Sequence, residues 1–405
     1  MDRSRTIDSV PARDSLDFLA QMIRFQSYSG TPGESELARF MVDAMRGLGL
    51  EAEAQAVEGT RVNAIGRWRG TGGGKSIMFN GHLDTNPVTE GWTVDPLGGV
   101  YDDRFIYGIG VSNMKASDAA AFCAVKTLIE RGVRLRGDVV LAFVVGELQG
   151  GVGTVKAIDD GIVADYFING EPTDLAALTL HAGSFGWVIE LTGVTRHMSK
   201  RDEAVDALAA ATTLVPRINA LRFSGAATAE HALVNRAHVG VIRAGLSREL
   251  HEWRPPQVAD FARLLGSARY APSQSESSVL ADFRGLLDQL EREHPGLRAN
   301  VAPAAGGQRP AMMPFEVART ARIVDVVTRA HRTVRGADAR IGPIAPYCFY
   351  GSDAGHLLHR ARMEGVVCGA GGRYNTMPDE RVDVADYLDA IKIYMLALLE
   401  IAEVG

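Results

Sequence analysis

Several polar side chains stand where strand-like runs end. "SIMFNGHLD" delivers His82 and Asp84, "DVVLAFVVGE" delivers Glu147, and "ADYFINGE" delivers Glu171. "EGVVCGAGGRYN" delivers Asn375, and Asn113 comes from the turn "YGIGVSN" before a helix. An imidazole with carboxylates can ligate a metal or move a proton. In an extended segment, His82 and Asp84, two apart, fall on one side. There a carboxylate can hold the imidazole in one tautomer, as behind metal ligands. Glu171 offers a hard oxygen. Glu147 follows an almost unbroken apolar run, and such surroundings raise a carboxyl pKa toward that of a general base. Each residue has a plain alternative: a capped turn for His82 and Asp84, a helix N-cap for Asn113, a turn residue for Asn375. Convergence at strand ends, where open α/β sheets bind ligands, favours a site.

The elements that must position them alternate between strand and helix. "KSIMFNG", "GDVVLAFVVG" and "ADYFING" read as buried strands, with helical apolar spacing in "SELARFMVDAMRGLGL" and "DAAAFCAVKTLIERG". This predicts an α/β domain, a mostly parallel sheet with helices on both faces. Near Gly186 the pattern changes. "FGWVIELTGVTRHMS" alternates like an antiparallel strand, and "AVDALAAATTLVPRINAL" and "SSVLADFRGLLDQLEREH" read as helices beside further strands. An α+β sandwich lid at 186–300 is expected, interrupting a catalytic domain made of 1–185 and 301–405. "ANVAPAAGGQRPAMMP" reads as the return linker and "GTGGGK" as a hairpin turn.

Composition is ordinary for a globular chain: 405 residues, 46% hydrophobic and 23% charged. A net charge of −6 without a basic block argues against nucleic acid or an anionic membrane as partner. Cys123, Cys348 and Cys368 share no metal-type spacing and read as buried free thiols, which fits a cytoplasmic location. The polar start "MDRSRTIDSVPARDS" has no signal-peptide pattern, and no apolar run is long enough to span a bilayer.

"GHLDT", "YGIGVSNMKAS", "GELQGGVGT", "GEPTDL", "GVTRHMS", "GSDAG" and "GAGGRYNTMPDERV" occur in one order. In this the chain resembles the superfamily of aminoacylases, carboxypeptidase G, acetylornithine deacetylases and succinyl-diaminopimelate desuccinylases. The resemblance implies a catalytic α/β domain interrupted by a lid through which subunits dimerise. It also implies hydrolysis of small amides, usually at two zinc-like ions bridged by a carboxylate and a water. By position, His82 matches a metal ligand, Asp84 its orienting acid, Glu147 the general base and Glu171 a carboxylate ligand. His197 matches a lid histidine that steadies the oxyanion in a neighbouring subunit. Arg269 matches a gripper of the substrate carboxylate, Asn235 a polar lid contact and Asp353 an acid near the site.

Three positions depart from the pattern. Asn113 stands where the bridging Asp is expected, Leu148 where the second Glu of a pair binds the other ion, and Asn375 or Tyr374 where a His does. Leucine cannot coordinate, and an amide oxygen is a weak zinc ligand. The usual two-metal centre is therefore expected to be absent. One divalent ion (Mn, Co or Zn) or none remains, with Asn113 and Asn375 free to bind substrate. The expected function is hydrolysis of a C–N bond in a small N-acyl amino acid or related carboxylate, by a homodimer joined through the lid. The rivals are a small-molecule-binding or regulatory protein and a non-hydrolytic enzyme on the same scaffold.

Overall fold

The computed structural model describes residues 6–252, 254–304 and 310–405. Residues 1–5 of the polar start and 305–309 of the return linker lie outside them. Two compact units result: the segments up to Leu180, Phe315–Cys348 and Ser352–Gly405 form one, and His181–Pro314 with Phe349–Gly351 forms the other. The inserted unit thus has wider bounds than the expected 186–300.

The first unit begins with α1 (Ala12–Ile23) and α2 (Pro32–Gly47), then β1 (Glu51–Ala56), β2 (Val62–Trp68) and β3 (Ile77–His82). After β4 (Phe105–Tyr107), one turn of π-helix at Val111–Lys115 leads into α3 (Ala116–Glu130). Next come β5 (Val139–Val144), α4 (Val152–Asp159), β6 (Tyr166–Asn169) and β7 (Ala177–Leu178). In the second unit lie β8 (Gly183–Thr192), α5 (Ala207–Asn219), α6 (Ala229–Val234), β9 (Arg236–Gly245), β10 (Phe261–Tyr270), α7 (Glu276–Glu293) and β11 (Arg298–Pro303). The chain returns as α8 (Arg322–Arg335), β12 (Ile341–Gly342), α9 (Ala354–His359), β13 (Glu364–Val367), β14 (Arg381–Asp383) and α10 (Val384–Ile401).

Eight strands form the large sheet in the order β1-β2-β5-β3-β6-β13-β7-β12. The centre is parallel: β5 with β3, β3 with β6 and β6 with β13. Every residue of β3 and β5 is buried, the mark of strands covered on both faces. Small residues on α3, Ala116, Ala119, Ala120, Ala121 and Ala124, are all buried in the core that α10 also joins. Their size lets the backbones pack closely.

The "GTGGGK" expectation is corrected. β2 and β3 are not neighbours, because β5 lies between them, antiparallel to β2 and parallel to β3. Thr71 and Gly72 donate instead to the carbonyls of Leu135 and Arg136, on the approach to β5. The run is a crossing, not a hairpin. The hairpin of this region is β1–β2, whose register pairs Ala56 with Val62.

The second unit has a four-stranded antiparallel sheet, β9-β10-β8-β11. Trp187, Ile189 and Leu191 alternate along β8 and are buried with Leu214 of α5 and Phe283 and Leu287 of α7. Side chains in this unit that are two apart on a strand share one face, and only that face is covered by helices.

Candidate active site

β3 ends on His82, and its imidazole is fully enclosed. Nδ1 lies 2.7 Å from the carbonyl oxygen of Asp84 and 3.5 Å from its Oδ1. The backbone carbonyl, more than the carboxylate, therefore holds the ring. A proton on Nδ1 donated there leaves the Nε2 lone pair facing the carboxylates. Nε2 is 3.6 Å from Glu171 Oε1 and 4.0 Å from Glu147 Oε2, and it is buried without a hydrogen-bond partner.

Glu147 follows β5 through a tight turn in which Gly146 has φ 75°. A Cβ on Gly146 would fall 2.6 Å from Arg61 Nη2, so glycine is needed for both reasons. Arg61 also donates from Nη1 to Gln149 Oε1 at 2.9 Å while paired with the buried Glu34. The turn is thus clamped from outside. From below, Asp84 accepts the backbone N–H groups of Glu147 (3.1 Å) and Leu148 (3.2 Å) and the Ser29 hydroxyl (2.7 Å). Asp84 so orients the Glu147 turn as well as the imidazole.

Two further acids close the group. Asp353, at the start of α9, accepts from the Thr154 hydroxyl at 2.7 Å, and its Oδ1 is unpartnered. Asp118, in the first turn of α3, is 2% exposed with Oδ2 unpartnered. A Cβ on Gly81 would fall 1.9 Å from Asp118 Oδ1, so the glycine beside His82 makes room for this carboxyl. In the sequence, Asp118 looks like an ordinary first-turn helix acid. Only its packing against β3 reveals it.

Five buried carboxyls therefore share the electrostatic field of one imidazole. Burial, then the charge of Glu171, push Glu147 well above the usual carboxylate range, against the pull of His82. Burial raises Glu171 to about 7 and Asp353 to about 6. Asp84 alone falls: burial raises it, but the His82 ring, the Ser29 hydroxyl and the Glu147 N–H outweigh that. Burial works against a charged His82, yet its acidic neighbours carry its pKa well above the ordinary value. A cation among these groups would relieve the repulsion. One nitrogen and two carboxylate oxygens, from His82, Glu147 and Glu171, lie within 4.8 Å of one another. With an orphaned Nε2 in the group, these residues fit one metal ion.

The family model for Peptidase family M20/M25/M40 matches residues 78–400. The chain belongs to this peptidase family. Succinyl-diaminopimelate desuccinylase 2 of Ruegeria sp. is 29% identical over 216 residues, 50% of this chain and 54% of that protein. The succinyl-diaminopimelate desuccinylase of Nitrosomonas eutropha is 26% identical over 393 residues, 94% of this chain and 96% of that one. The chain spans little more than half the length of the first curated relatives it matches. In fold it is similar to an M20 family metallo-carboxypeptidase of Sulfolobus solfataricus, with a TM-score of 0.76 at 18% identity over 95% of this chain and 98% of that one.

In this M20 family chain, Asn113 and Asn375 line one cleft of the first unit. Asn113 is no N-cap: it lies inside the π-helical turn, and its N–H and that of Ser112 are received by Glu380 Oε1 at 3.1 and 2.8 Å. Glu380 and Thr376, also in the cleft wall, were not singled out from the sequence. Leu148, 39% exposed, offers only its N–H to the site. Within the second unit, Asn235 and Arg269 come together, since Arg236 pairs with Arg269 across β9–β10 and Asn235 Oδ1 accepts the Ala271 N–H at 3.0 Å. His197 is exposed, its Nδ1 receiving the Ser199 N–H, and its backbone bridges Gln257 beyond the other end of β10. At about 3.4 Å per residue, the eight steps from Phe261 to Arg269 alone set His197 and Arg269 more than about 25 Å apart. Among the described residues no helix is long and apolar enough to cross a membrane. All three cysteines are free and buried.

Proposed function

We propose that this protein hydrolyses a C–N amide bond in a small N-acyl amino acid or related carboxylate-bearing substrate, with one divalent ion or none. The observation that carries this reading is the buried triangle of His82, Glu147 and Glu171 around an unpartnered Nε2. Similarity to two desuccinylases supports the reaction class. Glu147 accepts the proton of the attacking water and returns it to the departing amine nitrogen, so that water is consumed and a carboxylate and an amine are released. Asp84 fixes both the His82 carbonyl contact and the Glu147 turn. An ion held by His82 and Glu171 would supply Lewis-acid polarisation of the scissile carbonyl. Such a cation would also favour ionised Glu147, whose pKa burial and then the charge of Glu171 hold well above the usual carboxylate range. One imidazole among carboxylates can hold manganese, cobalt or zinc.

The second ion of the usual centre has no holder in this reading, since Asn113, Leu148 and Asn375 stand at its expected ligand positions. Arg269 and Asn235 receive the substrate carboxylate. The span from Arg269 to His197 supports a role for His197 in the partner's site rather than its own. Exposed Val241 and Ile242 on the edge strand β9 support a homodimer joined through the second unit.

A panel of N-acyl amino acids, assayed with manganese and with chelator, tests the reading. Hydrolysis lost with chelator and restored by manganese is the expected result. Chelator-insensitive hydrolysis would leave the metal-free form. Silence with tight ligand binding would replace the hydrolase by a binding protein.

A further inference from the structure

The cleft that carries Asn113 and Asn375 is small and partly open to solvent, with a cavity volume of about 40 Å³. Its walls are chemically unlike the His82 centre. Asn86, Asn113 and Asn375 bring carboxamides, and Thr85 and Thr376 bring hydroxyls. Trp92, Ile109 and Met377 supply an apolar body. The Trp92 indole Nε1 is buried and has no hydrogen-bond partner among the described residues. Buried donors of this kind call for an acceptor. The only acid in the wall among the described residues, Glu380, has its Oε1 engaged by the Ser112 and Asn113 N–H groups, and burial first of all raises its pKa to about 7. No cation lines the cleft among the described residues.

The cleft is also held ready. Thr93 donates its N–H and hydroxyl to Asp379 at 2.7 and 2.6 Å, and Val94 donates to the same carboxylate at 3.2 Å. These bonds tie the 85–94 wall to the 375–380 wall. Gly108 N–H donates to the Glu380 carbonyl at 2.9 Å, which ties both to the π-helical turn. Thr85 directly follows Asp84, so the cleft starts one residue from the catalytic group.

We propose that this cleft is the acyl-tail pocket and selects an uncharged tail bearing a carbonyl and an N–H together, a primary carboxamide or ureido group, over a carboxylate. The inference rests on the hydrolase reading above, which assigns the substrate's other carboxylate to Arg269 and leaves this space to the acyl chain. An amide side chain offers a donor and an acceptor, the complement of the same pair on a ligand. A carboxylate tail would find no cation, would lose its hydration, and would face Glu380. Discrimination arises from that mismatch as much as from attraction.

The test uses wild-type protein and matched N-succinamoyl and N-succinyl derivatives of the same L-amino acids, which differ only in a terminal carboxamide or carboxylate. The expected kcat/KM ratio favours the carboxamide by about tenfold or more. Asn113→Ala should shrink that ratio, and Met377→Lys, placing a cation at the cleft, should invert it. Where neither compound is turned over, calorimetric binding to the wild type reads the same preference. Selective binding of the carboxamide without turnover supports the pocket and overturns the hydrolase. Turnover with equal or carboxylate preference leaves the hydrolase standing and overturns the pocket. Absence of both turnover and binding overturns the pocket as well.

Discussion

The His82 centre and the Asn113–Asn375 cleft lie within one unit and share the segment that follows β3, yet they are built from opposite chemistry. The centre crowds Asp84, Asp118, Glu147, Glu171 and Asp353 out of water around a single imidazole. The cleft presents carboxamides, hydroxyls and an indole. A buried crowd of acids is unfavourable without a cation to compensate it. The cleft, whose acid Glu380 is held by two backbone N–H groups, has no such crowd and suits an uncharged ligand. The contrast teaches where charge belongs here: the acidic side is where a cation would be held, and the amide side is suited to uncharged groups.

The largest effect should come from removing the carboxylate that we propose as proton acceptor on the acidic side. Glu147→Gln is expected to lower kcat by about a thousandfold while far-ultraviolet circular dichroism stays unchanged. Activity near wild type would break the assignment of the two sides.

A smaller change should convert one side into the other. Asn113→Asp with Leu148→Glu places one carboxylate in the amide cleft and another beside Glu147. Metal content by plasma mass spectrometry should then rise by about one ion per chain. An unchanged content would mean that the cleft excludes a second ion for reasons other than its missing ligands.

The smallest effect concerns a prop of the acidic side. His356 Nε2 lies 3.0 Å from the Gly150 carbonyl, beside the turn that carries Glu147, and burial lowers its pKa from 6.5 to about 4. The fold thus favours the neutral ring. Its contribution is full above pH 6.5 and is lost as pH falls through 4, on the order of 3 kcal/mol across that window. The difference in unfolding free energy between wild type and His356→Gln should shrink over that range in denaturant titrations. Parallel curves would contradict this role.

Much of this contrast was legible in the residues. Apolar runs at β3, β5 and β6 fix buried strands, and strand ends fix where His82, Glu147 and Glu171 emerge. Asn113, Leu148 and Asn375 raised the expectation of missing ligands by their types alone. Asp118 was not legible, because its meaning lies in a glycine across a helix–sheet contact and not in its neighbours along the chain. Glu380 was hidden for the same reason: it caps N–H groups more than 260 residues away. The β1–β2 hairpin escaped because "EAEAQA" is a polar edge strand with only Gln55 buried. The "GTGGGK" misreading shows that a turn between two strands does not make them partners when a third strand can come between.

The most direct test counts metal ions per chain in protein purified without chelator and reconstituted with excess manganese or zinc. This account predicts no more than one tightly held ion, lost in His82→Ala. Two tightly bound ions per wild-type chain would contradict it.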